Sequence, residues 1–237
     1  MKKIIFAALA FAFTLTGFNS CFDNKEDEYH ETTFYPIYQN GIECYADQTV
    51  DSIYVLSTDS WTAGVKGQGG VTVPWMSLSP EKAEVKPGYV LQQRLQISLL
   101  KNDTEKSRRA YIAVSAPNGF EGAITMLLTQ YYWLNIEAPM PVLTPNNSID
   151  GKVSFTANLL ATEKAAIMRF TVHDNATLTS DADWLTIPEG KETLEPGKHN
   201  ISFALTPNES TEPRAAHVTL TSGGISNVVT YNQAGKK

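Results

Sequence analysis

The sequence predicts an all-β protein of two tandem β-sandwich domains, and three observations carry that prediction. Short runs of β-branched and aromatic residues, such as Ile53-Tyr54-Val55 and Leu95 to Leu99, are interrupted by Gly, Pro, Asn and Asp at intervals of about 8 to 12 residues. The stretch from Trp75 to Gly88 recurs from Trp184 to Gly197 and aligns without a gap, matching Met76 with Leu185, Leu78 with Ile187, Lys82 with Lys191 and Val85 with Leu194. Helical spacing of apolar residues is never sustained: Ala161 to Met168 has helix-forming composition but lacks a second apolar turn.

The chain has 237 residues, 42% of them hydrophobic. Domains run to roughly 100–200 residues, which allows one or two here. The repeat decides for two. Beyond the tryptophan block, Leu95, Ile97 and Leu99 match Ile201, Phe203 and Leu205; Asn102 matches Asn208; Arg108 matches Arg214; and the copies close on Gln130 and Gln233. A half of about 100 residues can bury a core without metals or disulfides. Cysteine is scarce, with only Cys21 and Cys44, so no disulfide framework is expected and Cys44 reads as a small buried apolar residue. The net charge of −6 leaves no basic face for a phosphate backbone, which sets nucleic acid aside as a partner.

Taken in order, residues 1–20 have a secretory signal peptide's basic start, Lys2-Lys3, and short apolar run, Ile4 to Phe13. Phe18-Asn19-Ser20-Cys21 resembles a bacterial lipobox, departing from it at Asn19 where a small residue is usual. The resemblance implies acylation of Cys21, with the membrane as a partner through that anchor, and several acyl chains hold a protein on a bilayer essentially permanently. Cleavage before Cys21 leaves 17 basic and 25 acidic residues, a charge of −8. Residues 21–36 read as a flexible acidic tether. Within it Lys25, Glu26, Asp27 and Glu28 resemble the export signal that sends Bacteroidetes lipoproteins to the outer face of the outer membrane; clustered like charge also suits a plain solvated tether.

Residues 37–137 are expected to form the first sandwich. Ile42 to Ala46 and Ile53 to Val55 are strand candidates; Trp61 to Ala63 follows; Lys66 to Gly70 is turn-prone; Pro87-Gly88 is a tight turn. Leu95, Ile97 and Leu99 alternate with Arg94, Gln96 and Ser98, the period of a half-buried strand. Ala110 to Val114 and Ile124 to Gln130 complete it around a hairpin at Pro117-Asn118-Gly119. Residues 138–148, rich in proline and without periodicity, read as a stiff linker. Residues 149–237 repeat the strand order. Both units have the size of immunoglobulin-like sandwiches.

The order of features is similar to that of the BACON domain, a Bacteroidetes-associated carbohydrate-binding domain. The resemblance is carried by Trp61, Trp75 with Leu78, Asn102, Arg108-Arg109-Ala110 and Thr129-Gln130, and in the second copy by Trp184-Leu185, Asn208, Arg214 to Val218 and Asn232-Gln233. It implies immunoglobulin-like sandwiches associated with glycan handling at the cell surface, either binding glycan or spacing other modules. Aligning Asp59-Ser60-Trp61 with Asp174-Asn175-Ala176 puts Ala in the second copy where the first has Trp.

Several residues admit a binding role beside a packing one. Trp75 and Trp184 read as core anchors. Trp61, beside a glycine-rich loop, offers either a sugar-stacking face or packing of the core or a loop. Tyr131-Tyr132-Trp133 offers either a stacking platform or an apolar seam between the domains. Arg108 and Arg214 are expected to fasten a loop to a strand edge. The histidines lack ligand spacing, HExxH and GxSxG are absent, and we expect neither metal, cofactor nor catalytic centre. The expected function is carbohydrate binding at the cell surface; the alternative is a spacer or adhesion subunit whose partner is another outer-membrane surface protein.

Overall fold

The computed structural model describes residues 30–86, 88–116, 123–139, 141–143 and 153–237. Cys21, the export-signal residues Lys25, Glu26, Asp27 and Glu28, and the hairpin turn at Pro117-Asn118-Gly119 lie outside the described residues.

The described residues are strands and loops, with a single 3-10 turn at Gln68–Gly70. In the first domain the strands are β1 (Thr32–Tyr35), β2 (Ile42–Cys44), β3 (Val50–Ser57), β4 (Trp61–Lys66), β5 (Met76–Ser79), β6 (Lys82–Ala83), β7 (Leu91–Leu99), β8 (Arg108–Ser115) and β9 (Ala123–Gln130). The second domain has β10 (Asn135–Ala138), β11 (Pro141–Leu143), β12 (Val153–Leu159), β13 (Ala165–Val172), β14 (Ala176–Ser180), β15 (Leu185–Thr186), β16 (Thr193–Leu194), β17 (Gly197–Leu205), β18 (Arg214–Ser222) and β19 (Ile225–Gln233).

One sheet of the first domain runs β1-β3-β7-β5 and the other β2-β9-β8-β4-β6; the second domain runs β10-β13-β17-β15 and β11-β12-β19-β18-β14-β16. Apart from the added edge strand β11, the orders coincide. Even the parallel pairing recurs, β2 with β9 and β12 with β19. Strand alternation builds each interior: β7 turns Leu95, Ile97 and Leu99 inward and Gln92, Arg94 and Gln96 outward, and the facing sheet supplies Ile112, Val114 and Leu128. Such faces, useless alone in water, become stable by closing on one another.

Three expected boundaries shift. β1 pairs with β3, so the segment expected as tether contributes its last residues to a sheet. β10 pairs with β13 and β11 with β12, so part of the expected 138–148 linker is strand of the second domain. Both are edge strands, and an edge strand is where a sheet tolerates a proline such as Pro141. Edge strands also need no alternation, which removes the sequence signal. The third shift is in the repeat itself. Ala63 N–H bonds the Glu81 carbonyl and Leu178 N–H the Glu192 carbonyl, making Ala83 the counterpart of Leu194, where the gapless alignment had Val85. A turn closed by Lys191 N–H to the Pro188 carbonyl, with Gly190 at φ +72°, adds two residues before β16.

Candidate functional site

The positions shared by the two copies form a clasp at one end of each sandwich. In the first, Arg108 Nε donates to Gln130 Oε1 at 2.9 Å and Arg108 Nη2 to the Leu100 carbonyl at 2.6 Å. Gln130 Nε2 donates in turn to the Gln48 and Leu100 carbonyls at 3.1 and 3.0 Å. The guanidinium lies 4.5 Å from the centre of the Trp75 ring. In the second, Arg214 Nε meets Gln233 Oε1 at 2.8 Å, its Nη2 donates to the Thr206 carbonyl, and its guanidinium lies 4.5 Å above Trp184. Asn102 and Asn208 close the neighbouring loops, their Nδ2 groups donating to the carbonyls of Lys106 and Glu212 at 3.0 and 2.8 Å. Buried amides hold backbone carbonyls that would otherwise be left without donors. The arginines therefore fasten loops, as their spacing suggested. Trp75 and Trp184 are half-buried at the rim of the core under those guanidiniums, not within it.

The residues proposed to stack on sugar are placed elsewhere. Trp61 is 1% exposed, in the first core, so no ligand reaches its ring. Its strand position explains this: β4 turns Trp61 inward opposite Ala83, whose small side chain leaves the room. The polar neighbours are also committed within the fold, Asp59 to His30 at 2.7 Å and the Ser60 hydroxyl to the Val85 N–H at 3.0 Å. Trp133 is 6% exposed and belongs to the core of the second domain. It stacks on Tyr131 with ring centres 4.4 Å apart and takes the edge of Tyr132 at 5.0 Å. The Tyr131 hydroxyl donates to Glu43 at 2.7 Å, and burial, first, with that carboxylate, second, pushes its pKa upward. The Tyr132 hydroxyl accepts the Val153 N–H at 3.0 Å. These three aromatics are the seam between the domains, with their ring faces spent on one another.

The seam has a polar half that sequence reasoning missed. Asp47 of the first domain, 1% exposed, accepts the His173 backbone N–H at 2.7 Å, His173 Nδ1 at 3.1 Å and the Ser222 hydroxyl at 2.8 Å, all from the second domain. Burial alone would raise this carboxyl; the bonds from the His173 side chain and backbone and from Ser222 outweigh it and hold the pKa below the ordinary value. Beside it Lys101 Nζ donates to Asp174 Oδ2 at 2.7 Å and to the Gly223 carbonyl at 3.1 Å. Gly223, at φ +56°, packs against this pair: a Cβ would stand 2.6 Å from the Lys101 nitrogen and displace it. Leu134 N–H reaches Asn227 Oδ1 at 2.7 Å. Aspartate in a loop has no periodicity to betray its partners.

Cys44 is fully buried, its thiol directed at Asp51 at 3.6 Å, and burial above all raises its pKa far from the thiolate range. Among the described residues no group of His, Cys, Asp and Glu is placed to hold a metal ion. Two of the exposed aromatics lie on the outer face of the sheet β1-β3-β7-β5, Tyr35 and Tyr54, 39% and 37% exposed. The alternation of Ile53, Tyr54 and Val55 already turned Tyr54 outward.

Fold and site define a class: a duplicated β-sandwich module whose shared residues maintain structure. A family model for the BACON domain, described as "putative binding domain, N-terminal", matches residues 60–130 and 174–234, and the chain belongs to that family. No curated protein matches the sequence. Among solved structures the chain is similar to a Bacteroides ovatus GH5 xyloglucanase in complex with a XXXG heptasaccharide, at 21% identity and TM-score 0.34 over 42% of this chain and 18% of that one. It is also similar to a protein of unknown function from Porphyromonas gingivalis W83, at 8% identity and TM-score 0.27 over 86% and 99% of the two chains. A third is the E. coli chaperone DraB, at 10% identity and TM-score 0.34 over 86% and 98%. The chain spans less than a fifth of the xyloglucanase, 18% of its length.

Proposed function

We propose that this protein is a non-catalytic lipoprotein of the outer membrane, exposed at the cell surface through acylated Cys21, in which two BACON domains act as one stiff binding arm. The observation that supports this reading best is Asp47, a buried carboxylate of one domain whose bonds all come from the other. Domains that need only tethering do not bury a charge between them, because a buried charge without partners is strongly unfavourable. A fixed angle between the domains keeps a surface on the first presented in one direction, and the acidic segment before it supplies the stand-off from the head groups.

The experiment follows the protein on intact cells. Externally added protease should degrade it, Cys21→Ala should release it from the membrane fraction, and replacement of Lys25 to Glu28 by alanines should protect it from the protease. Degradation that is unchanged by the last substitution removes the export signal from the proposal. A second reading, that the arm binds carbohydrate, is supported by the open face carrying Tyr35 and Tyr54 and by the family's binding role; the test is a glycan array.

A further inference from the structure

Cross-strand pairing puts Tyr35 of β1 opposite Tyr54 of β3, and Tyr54 opposite Arg94 of β7, so the three form a row across neighbouring strands. All three are exposed. The next rows carry Thr33, Leu56 and Gln92 on one side and Ser52, Gln96 and Ser79 on the other. At the Thr33 end, Glu31, Thr33, Leu56 and Val90 border a shallow depression. Neighbouring strands are about 4.8 Å apart, so the tyrosines sit side by side on the outer face of the sheet. Flat aromatic faces fit the C–H faces of pyranose rings, and the amides and hydroxyls around them suit a polymer dense in hydroxyls.

The scaffold does not require this row. In the second domain the same register positions hold Ala138, Arg169 and Asn200, within a sheet of the same strand order. A sheet of this order therefore forms without aromatic residues in the row, which leaves these rings available to a ligand. Charge narrows the ligand: in a chain of net charge −6, the row ends on a guanidinium that makes no ion pair among the described residues. Asp51 of the same strand is turned away, towards Cys44 and Gln48.

We infer that Tyr35, Tyr54 and Arg94 form a binding row for an acidic polysaccharide, the rings stacking on successive sugars while Arg94 pairs with a sugar carboxylate. This rests on the carbohydrate-binding reading and gives it a place and a charge. A protein partner would need on the order of 800 Å² with an apolar centre, whereas here the neighbouring rows are glutamine, serine and threonine with the single apolar Leu56.

The test uses the full lipoprotein in detergent, with biolayer interferometry on surfaces carrying polygalacturonate, hyaluronan or hydroxyethylcellulose. Binding to at least one acidic polymer in preference to the neutral one is expected. Tyr35→Thr and Tyr54→Thr keep strand-forming residues and should each weaken it about tenfold, the size of one stacked-ring contact. Arg94→Gln should abolish the preference for acid, and Arg94→Glu should reverse it. Arg169→Thr in the second domain should change nothing. Unchanged melting temperatures confirm that the variants fold. Binding that survives the tyrosine substitutions overturns the site and leaves the carbohydrate reading standing; equal binding to acidic and neutral polymers overturns the choice of ligand. No binding to any polymer, with a photocrosslinker at position 54 capturing polypeptide on intact cells, overturns both in favour of a protein partner.

Discussion

In the first domain Trp61 stands opposite Ala83 where β4 meets β6; in the second, Ala176 stands opposite Leu194 where β14 meets β16. Each pair places one large and one small side chain at the same point, with the large one on opposite strands. The clasp built from Trp, Arg, Gln and Asn does not vary in this way: Arg108 to Gln130 and Arg214 to Gln233 agree within 0.1 Å, at 2.9 and 2.8 Å. Volume inside a sandwich can be supplied from either strand, because close packing asks only that space be filled. Buried carbonyls ask for a donor in one direction, and so the clasp is repeated side chain for side chain. The outer faces differ most, since no interior constrains them.

The comparison can be tested from its strongest term downward. Trp61→Ala should cost the first domain about 3–5 kcal/mol in urea unfolding, and adding Ala83→Leu should recover part of it by installing the second domain's arrangement. If the double variant is no better than the single, the two interiors are not interchangeable. Asp47→Ala should cost about 2–3 kcal/mol by leaving the His173 N–H without an acceptor and the Ser222 hydroxyl with only the Asp174 carbonyl, at 3.3 Å. It should also split unfolding into two transitions where the parent shows one.

Acid reaches the same contact by titration. The folded pKa of Asp47 lies below its unfolded value of about 3.9, so its contribution is complete above that pH and lost as pH falls through the lower, folded value. The seam should hold at pH 5 and open well below 4, read by scattering or by tyrosine and tryptophan fluorescence. Gln130→Ala and Gln233→Ala should each cost about 1–2 kcal/mol, and the two should match; a gap larger than their errors would show that the clasps are alike in geometry but not in strength. Lys101→Ala, removing a half-exposed ion pair, should cost at most about 1 kcal/mol.

Much of the scaffold was legible in the residues. Period-two alternation located β7, strand-forming residue types located β3, and the duplicated tryptophan block announced a duplicated fold. Ranking the tryptophans was harder. Trp75 and Trp184 read as core and lie at its rim; Trp61 read as either a sugar-stacking face or packing of the core or a loop, and it lies inside. One ring beside alternating neighbours looks the same in either place until the facing strand is known.

The sequence by itself determined the strand class, the two-fold repetition and the residues of each clasp, because these follow from local periodicity and from side chains repeated at matching places. Only the tertiary structure decided that β10 and β11 belong to the second domain, that Asp47 of one domain is held by His173 and Ser222 of the other, and that Tyr35, Tyr54 and Arg94 lie in one row. Each of these depends on pairing between residues far apart in the chain, and pairing is fixed by the closure of whole sheets, which no short window of sequence records.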